Sequence, residues 1–323
     1  MSDAAPTIID LTGSADPVTA LDDRLGELSA GQEIVLLLPA SCIRSRRFAL
    51  AMELQKPVSN KDLEDLSLSA ADLTGNEEKL AILYRQPAAF TLDHRVTFQP
   101  PIGEVADELN AEFLDLSMSL ADASAFDALV SRHDHRLVDV VTPHEALAYA
   151  HTTEEDEVLL IHIGYSDTVV SVTSEGGLAG TGSLAAGARH LETDLVLAGL
   201  CTEEEGPGAT LAALRSEEQV GEDLFRVLDA RLDEIASFVH HVRSAAHGRA
   251  SMPTIISGLG ASAKRAEDIF TRVLDSRVEM LEQPISLTRG IAEARRAPRM
   301  ANLASEAGQS GSNTLWRWLR RHI

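Results

Sequence analysis

Apolar positions along this chain switch repeatedly between the two-residue period of a strand and the 3.6-residue period of a helix, and that switching predicts an α/β fold. Thr7 to Leu11 reads as a strand, Pro17 to Leu28 as a helix, and Glu33 to Leu38 as a second strand. Asp16 stands just before a proline at the first helical position, where its carboxylate can accept from the amides of the first turn. The nearly unbroken apolar run Ile34 to Leu38 suits a strand covered on both faces.

A second unit follows, from about Val58 to Val138. It is predicted to hold a helix from near Ser59, a strand Leu80 to Tyr84, a turn at Pro100-Pro101-Ile102-Gly103, a strand around Glu112 to Leu120 and a helix Ser124 to His133. Val138 to Val141 is then a strand, and a helix starts at His144. Beyond it, Glu157 to Ile163 and Thr168 to Thr173 read as a hairpin joined through Gly164-Tyr165-Ser166-Asp167. Leu224 to Val242 has a long helical period, Thr254-Ile255-Ile256 is a buried strand, Ala263 to Leu274 a helix and Val278 to Leu281 a closing strand.

Composition sharpens this outline. A length of 323 residues and a hydrophobic fraction of 44% support two domains with real cores, and an aromatic content of 4% leaves those cores to aliphatic side chains. No apolar run reaches transmembrane length and Met1 to Pro6 lacks the pattern of a signal peptide, so the body is expected in the cytoplasm. Cys42 and Cys201 form no CxxC pair and are expected to be buried as small apolar residues. With 50 acidic against 28 basic residues, a net charge of -22, the body should repel both nucleic acid and anionic lipid.

One segment runs against that charge. The last residues, Leu315-Trp316-Arg317-Trp318-Leu319-Arg320-Arg321-His322-Ile323, hold both tryptophans. On a helical wheel Leu315, Trp316, Trp318, Leu319 and Ile323 share an arc of roughly 160°, with Arg317, Arg320 and Arg321 opposite. Tryptophan rings and snorkelling arginines both suit the headgroup layer of an anionic membrane, so 313–323 reads as an amphipathic membrane-targeting helix lying in the interface. The stretch 305–312, Ser-Glu-Ala-Gly-Gln-Ser-Gly-Ser, reads as its flexible linker. Docking of this helix on its own domain is the alternative.

Candidate chemistry is sparse. His133-Asp134-His135 and His240-His241 lack metal-ligand spacing and are expected to be exposed, so no metal site is predicted. No GxSxG elbow supports covalent catalysis. Gly258-Leu259-Gly260-Ala261-Ser262-Ala263 follows a strand and opens a helix, which fits a dinucleotide fingerprint or, equally, a tight turn without a ligand.

The order of several motifs carries more. Leu160-Ile161-His162-Ile163-Gly164-Tyr165-Ser166-Asp167-Thr168-Val169-Val170 resembles the second phosphate motif of actin-like ATPases, and in particular of the bacterial cell-division protein FtsA family. Pro100 to Gly103, Pro143 to Ala146, Gly187 to Asp194, Arg231 to Ile235 and Ser257 to Ala261 resemble further motifs of that family in the same order, and the family also ends in a linker and an amphipathic helix.

The resemblance implies an actin-like two-lobed α/β fold with an FtsA-type extra subdomain. The first lobe would comprise 1–55 and 137–155, the extra subdomain 56–136, and the second lobe 156–304. It implies an adaptor, peripheral on the inner face of the cell membrane, that tethers filaments of FtsZ, meets other division proteins, and self-polymerises or associates with an FtsA-like protein. It also implies ATP with Mg²⁺ held around Asp10, Gly164, Thr168, Gly187, Asp194, Glu234, Gly258 and Gly260. The sequence departs from the family there. His162 stands for an aspartate, Tyr165 and Ser166 for glycines, Leu259 for a glycine, and Arg265 for another on the following helix. The first phosphate hairpin is missing after Asp10, and the chain between Leu200 and Leu224 is too short for the family's full outer subdomain. Imidazole cannot stand in for carboxylate on Mg²⁺, so the expectation is a degenerate, non-catalytic site with no cofactor. A working actin-like ATPase, and a secretion or pilus-assembly platform of the same superfamily, are the alternatives.

Overall fold

A computed structural model describes residues 5–74, 79–151, 157–174, 177–217, 220–259, 262–283 and 285–296. The expected linker 305–312 and amphipathic helix 313–323, with Leu315 to Ile323, lie outside the described residues. The chain divides into two units, Met1–Ala146 with Ile291–Ile323, and Leu147–Gly290.

The first unit begins with β1 (Thr7–Asp10), α1 (Pro17–Gly26) and β2 (Glu33–Leu37). As the sequence predicts, Asp16 caps α1, accepting from Val18 N and Thr19 N at 3.2 Å. β2 is the central strand of a three-stranded sheet, parallel to β1 on one side and to β7 (Arg136–Val141) on the other. Ile34 to Leu38 are fully buried, in keeping with a strand covered on both faces.

Between β2 and β7 the chain builds a second, antiparallel sheet from β3 (Arg44–Glu53), β4 (Leu80–Leu92), β5 (Arg95–Thr97) and β6 (Glu108–Ser119), ordered β3-β6-β4-β5. Helix α2 (Asn60–Thr74) covers one face, with Leu66 and Ala70 packed among Phe90, Leu92, Leu109, Ala111 and Phe113. This sheet differs from expectation in two places. β3 matches no predicted strand; its Arg-rich first half hides the strand period. β4 continues past Tyr84 because Pro87 sits at a register shift, where short β5 does not reach and no partner requires its missing N–H. Arg85 is buried in this sheet, its guanidinium bonded to both carboxylate oxygens of Asp115 at 2.6 Å and to the Ala70 carbonyl of α2 at 2.9 Å.

Helix α3 (Leu120–Arg132) is capped by Ser119, whose hydroxyl accepts from Asp122 N at 3.0 Å. It is tied to α1 where Asp22 meets Arg132 at 2.9 Å and His133 at 2.6 Å. His135, expected at the surface, is buried, because its Nδ1 accepts from Gln32 N at 3.3 Å beside the start of β7. Cys42 and Cys201, expected inside, are half-buried; both lie in short connections rather than in core faces. Helix α4 (Pro143–Ala150) follows β7.

The second unit carries a five-stranded sheet, order β10-β9-β8-β11-β12. β8 (Glu157–Ile163), β9 (Thr168–Ser174) and β10 (Gly177–Leu184) form an antiparallel meander, while β11 (Thr254–Ser257) runs parallel to β8 and β12 (Val278–Met280). β10 escapes the sequence reading because its glycines break the apolar alternation. One of them has a packing reason: a Cβ on Gly182 would stand 2.9 Å from the Phe238 ring of α7 (Glu222–Ala245), so the glycine lets that helix close onto the sheet. α7 buries Leu228, Leu232, Ile235, Ala236, Val239 and Val242, the stripe its period predicts. Helices α5 (Ala188–Leu197), α6 (Gly206–Leu214), α8 (Lys264–Leu274) and α9 (Leu287–Arg296) complete the order. No helix among the described residues is long and apolar enough to cross a membrane.

Candidate functional site

Three of the glycines singled out in the sequence, Gly164, Gly187 and Gly258, converge beside the ends of β8 and β11. β8 turns into β9 through Gly164 to Asp167, closed by Gly164 N–H donating to Asp167 O at 2.8 Å. Thr168, fully buried, starts β9 and donates its hydroxyl to Ala186 O at 2.7 Å, holding the approach to α5 against the hairpin. Gly187 then caps α5 in direct backbone contact with that hairpin; a Cβ there would sit 2.5 Å from Gly164 O and 2.8 Å from Asp167 N. Gly258 leaves β11 at φ +108°, and a Cβ there would collide with the Ile163 carbonyl. Gly164, Thr168, Gly187 and Gly258 thus meet in one backbone cluster.

Such a cluster can bind phosphate if its amides are open. At the start of α5 they are taken. Gly187 N–H donates to His190 Nδ1 at 3.1 Å, Ala188 N–H to Gly164 O at 2.9 Å, Arg189 N–H to Tyr165 O at 2.9 Å, and His190 N–H to Gly187 O at 2.9 Å. The helix end is therefore plugged by the neighbouring hairpin and by its own imidazole.

The acids are taken as well. Asp194 on α5 receives Arg231 Nε and Nη2 at 2.7 and 3.1 Å, and Glu234 receives Arg231 Nη1 at 2.5 Å, one turn along α7. Hydrogen bonding to Asp194 holds the Arg231 guanidinium above its ordinary pKa. His162 Nδ1 lies 3.3 Å from Ser257 Oγ, which in turn accepts from Ile285 N at 2.6 Å. Arg265 is clamped on Asp229 at 2.5 and 2.6 Å and stacks 4.0 Å from the Phe225 ring centre. Arg231, Asp229, Phe225 and His190 are absent from the predicted site. Only Arg231, three residues before Glu234 on a helical period, carries a sequence signal for its pairing.

Asp10, in the first unit, ends β1 with its Oδ1 accepting from Thr12 N at 2.9 Å and Thr12 Oγ1 at 2.7 Å, a local Asx turn. No hairpin follows it, since the chain passes directly to α1. Gly260 lies outside the described residues. Among those described, no group of three or more histidines, cysteines or acids could hold a metal ion. Among the described residues, an imidazole stands at 162, the leading amides of α5 have acceptors within the chain, and Asp194 and Glu234 are paired with Arg231.

No family model matches the sequence, and neither does any curated protein. Solved structures do. A chain of the PilM–PilN type IV pilus biogenesis complex aligns over 98% of this chain and 89% of its own length, with a TM-score of 0.55 and 12% identity. MreB5 of Spiroplasma citri, bound to ADP, aligns over 95% and 81%, with a TM-score of 0.50 and 11% identity. EutJ, the ethanolamine utilization protein of Carboxydothermus hydrogenoformans, shares 22% identity over 53% of this chain at a TM-score of 0.40, and the match spans 60% of its length. The chain has an actin-like α/β fold.

Proposed function

We propose that this protein is a non-catalytic adaptor built on the actin-like fold, one that links an assembly to a membrane surface without using nucleotide. The observation that carries this reading is the plugged N-terminus of α5, where all four leading amides have acceptors inside the chain. Isothermal titration calorimetry with Mg-ATP checks it. The expected result is no binding in the micromolar range; micromolar binding that Asp10→Ala abolishes would favour the nucleotide-dependent alternative instead.

The membrane part of the proposal rests on the basic, tryptophan-bearing sequence 313–323, tethered by 305–312. Sedimentation with anionic liposomes should carry down the full chain and leave a chain lacking 313–323 in solution; equal sedimentation sinks the anchoring role. The body would then be cytoplasmic and peripheral on the membrane's inner face. On this reading β1, β2 and β7 belong to a first lobe, the sheet inserted between β2 and β7 stands where an FtsA-type subdomain would, and the second unit is the second lobe.

Two assemblies fit such an adaptor. Motif order supports a division filament of the FtsZ type, with self-polymerisation or association with an FtsA-like protein. The broad alignment with the PilM–PilN complex supports a pilus or secretion platform. Affinity purification separates them: recovery of FtsZ favours the first, recovery of inner-membrane secretion components the second.

A further inference from the structure

Helix α2 turns one stripe to the sheet and a mixed face to solvent. Leu66 and Ala70 are buried against the sheet, whereas Leu68 is 63% and Leu73 52% exposed. On the helical period Glu64 and Asp65 lie one turn before Leu68 and Asp72 one turn after it, and all three carboxylates are exposed. Asp62 is turned inward instead, its Oδ2 accepting from Ser59 N at 2.8 Å. Lys61, in the first turn, is the one basic residue in the helix sequence. The outer face of α2 is therefore apolar at its middle and end, with carboxylates around Leu68.

A leucine standing singly at a surface needs no explanation, but two on one acidic helix face match a particular segment of this chain. Anionic lipid would be repelled by such a face, so the membrane does not account for its leucines. In 313–323, Leu315, Trp316, Trp318, Leu319 and Ile323 share one helical arc, and Arg320 and Arg321 border that arc on its two sides. Laid along α2, the arc covers Leu68 and Leu73 while the bordering guanidiniums meet Glu64, Asp65 and Asp72. The connection is long enough. Arg295 of α9 bonds Asp139 of β7 at 3.3 Å, in the same unit as α2. From there residues 297–312 can extend to about 50 Å, against about 40 Å across a unit of this size. Tethering also raises the local concentration to about the millimolar range, so a contact of modest affinity stays occupied.

We propose that the outer face of α2 is an intramolecular dock for 313–323, occupied in the absence of lipid and vacated when an anionic membrane takes the same apolar arc. The exchange rests on the membrane reading above; the dock itself does not. Carboxylates on α2 and lipid phosphates compete for the same arginines, so the acidic face sets how much anionic lipid is needed to draw the segment away. A foreign partner of similar chemistry would have to displace a ligand that is already tethered.

Trp316 and Trp318 are the chain's two tryptophans, so the intrinsic fluorescence of the full chain reads this segment alone. Without lipid, emission should lie to the blue of a synthetic 313–323 peptide, and acrylamide should quench it at least about twofold less, as a mostly occupied tethered site requires. Leu68→Gln with Leu73→Gln, or Glu64→Lys with Asp72→Lys, should return both readings to those of the peptide. Circular dichroism should give both doubly substituted chains the melting curve of the parent; if the leucine pair departs from it, the charge pair supplies the comparison. Equal quenching in chain and peptide, or protection that both substituted chains retain, overturns the dock. So does protection that is lost on dilution, which would seat the segment on a second copy. Anionic liposomes then separate the two readings. The leucine pair should sediment at lower lipid than the parent, and an unchanged lipid requirement overturns the exchange. Protected tryptophans in a chain that no liposome carries down would support the dock and overturn the anchoring role.

Discussion

Gly258 shows how a single residue can fix the centre of the second unit. Its φ of +108° excludes other L residues at low cost, and any Cβ would overlap the Ile163 carbonyl. Gly258→Ala should destabilise the protein by more than about 2 kcal/mol in urea unfolding, whatever its effect on ligands. Arg85 makes a different case. Its side chain is 8% exposed and that of Asp115 is 2%, so Arg85→Met strands a buried carboxylate and should cost about 3–5 kcal/mol. Combined with Asp115→Leu it should recover most of that loss, a non-additivity that a double-mutant cycle of denaturation midpoints measures directly. The glycines and Asp16 are legible in the sequence because their reasons are local: a turn, a cap, a proline next door. The partners of Asp194 and Glu234 are legible only in part, since Arg231 pairs with Asp194 across 37 positions of chain, which no local pattern records.

At the scale of elements, short helices are held at their ends by carboxylates. Thr19, His133 and Ser59, each through a side-chain hydrogen bond, chiefly lower Asp16, Asp22 and Asp62 below the ordinary carboxylate pKa, and the Thr202 backbone N–H does the same for Glu205. A depressed folded-state pKa contributes stability that is present above the unfolded value, near pH 4, and is lost as pH falls through the folded value. The thermal midpoint, followed by circular dichroism, should therefore fall on acidification below about pH 4. Asp62→Asn should flatten that fall. Most helices and core strands follow from their periods. β3 and β10 do not, one because arginines occupy its alternating positions and the other because glycines do. In both, the pairing strand supplies what the sequence pattern lacks.

Across the whole molecule, the first unit joins its parallel sheet only after a long excursion, since β2 pairs with β7 from Glu33 opposite Arg136 to Leu37 opposite Val141. Contacts inside the excursion are nearer in sequence and can form sooner, because loop closure costs less over shorter spans. In pulse-labelling hydrogen exchange, amides of β4 and β6 should gain protection before those of β2 and β7; simultaneous protection would count against this order. The same arrangement bears on tolerance to change. A segment between two adjacent strands returns the chain to where it left, so the pairing of β2 with β7 need not alter when the segment between them does. Surfaces on the insert are then free to diversify under selection for new contacts, while the frame that carries them keeps its hydrogen-bonding pattern.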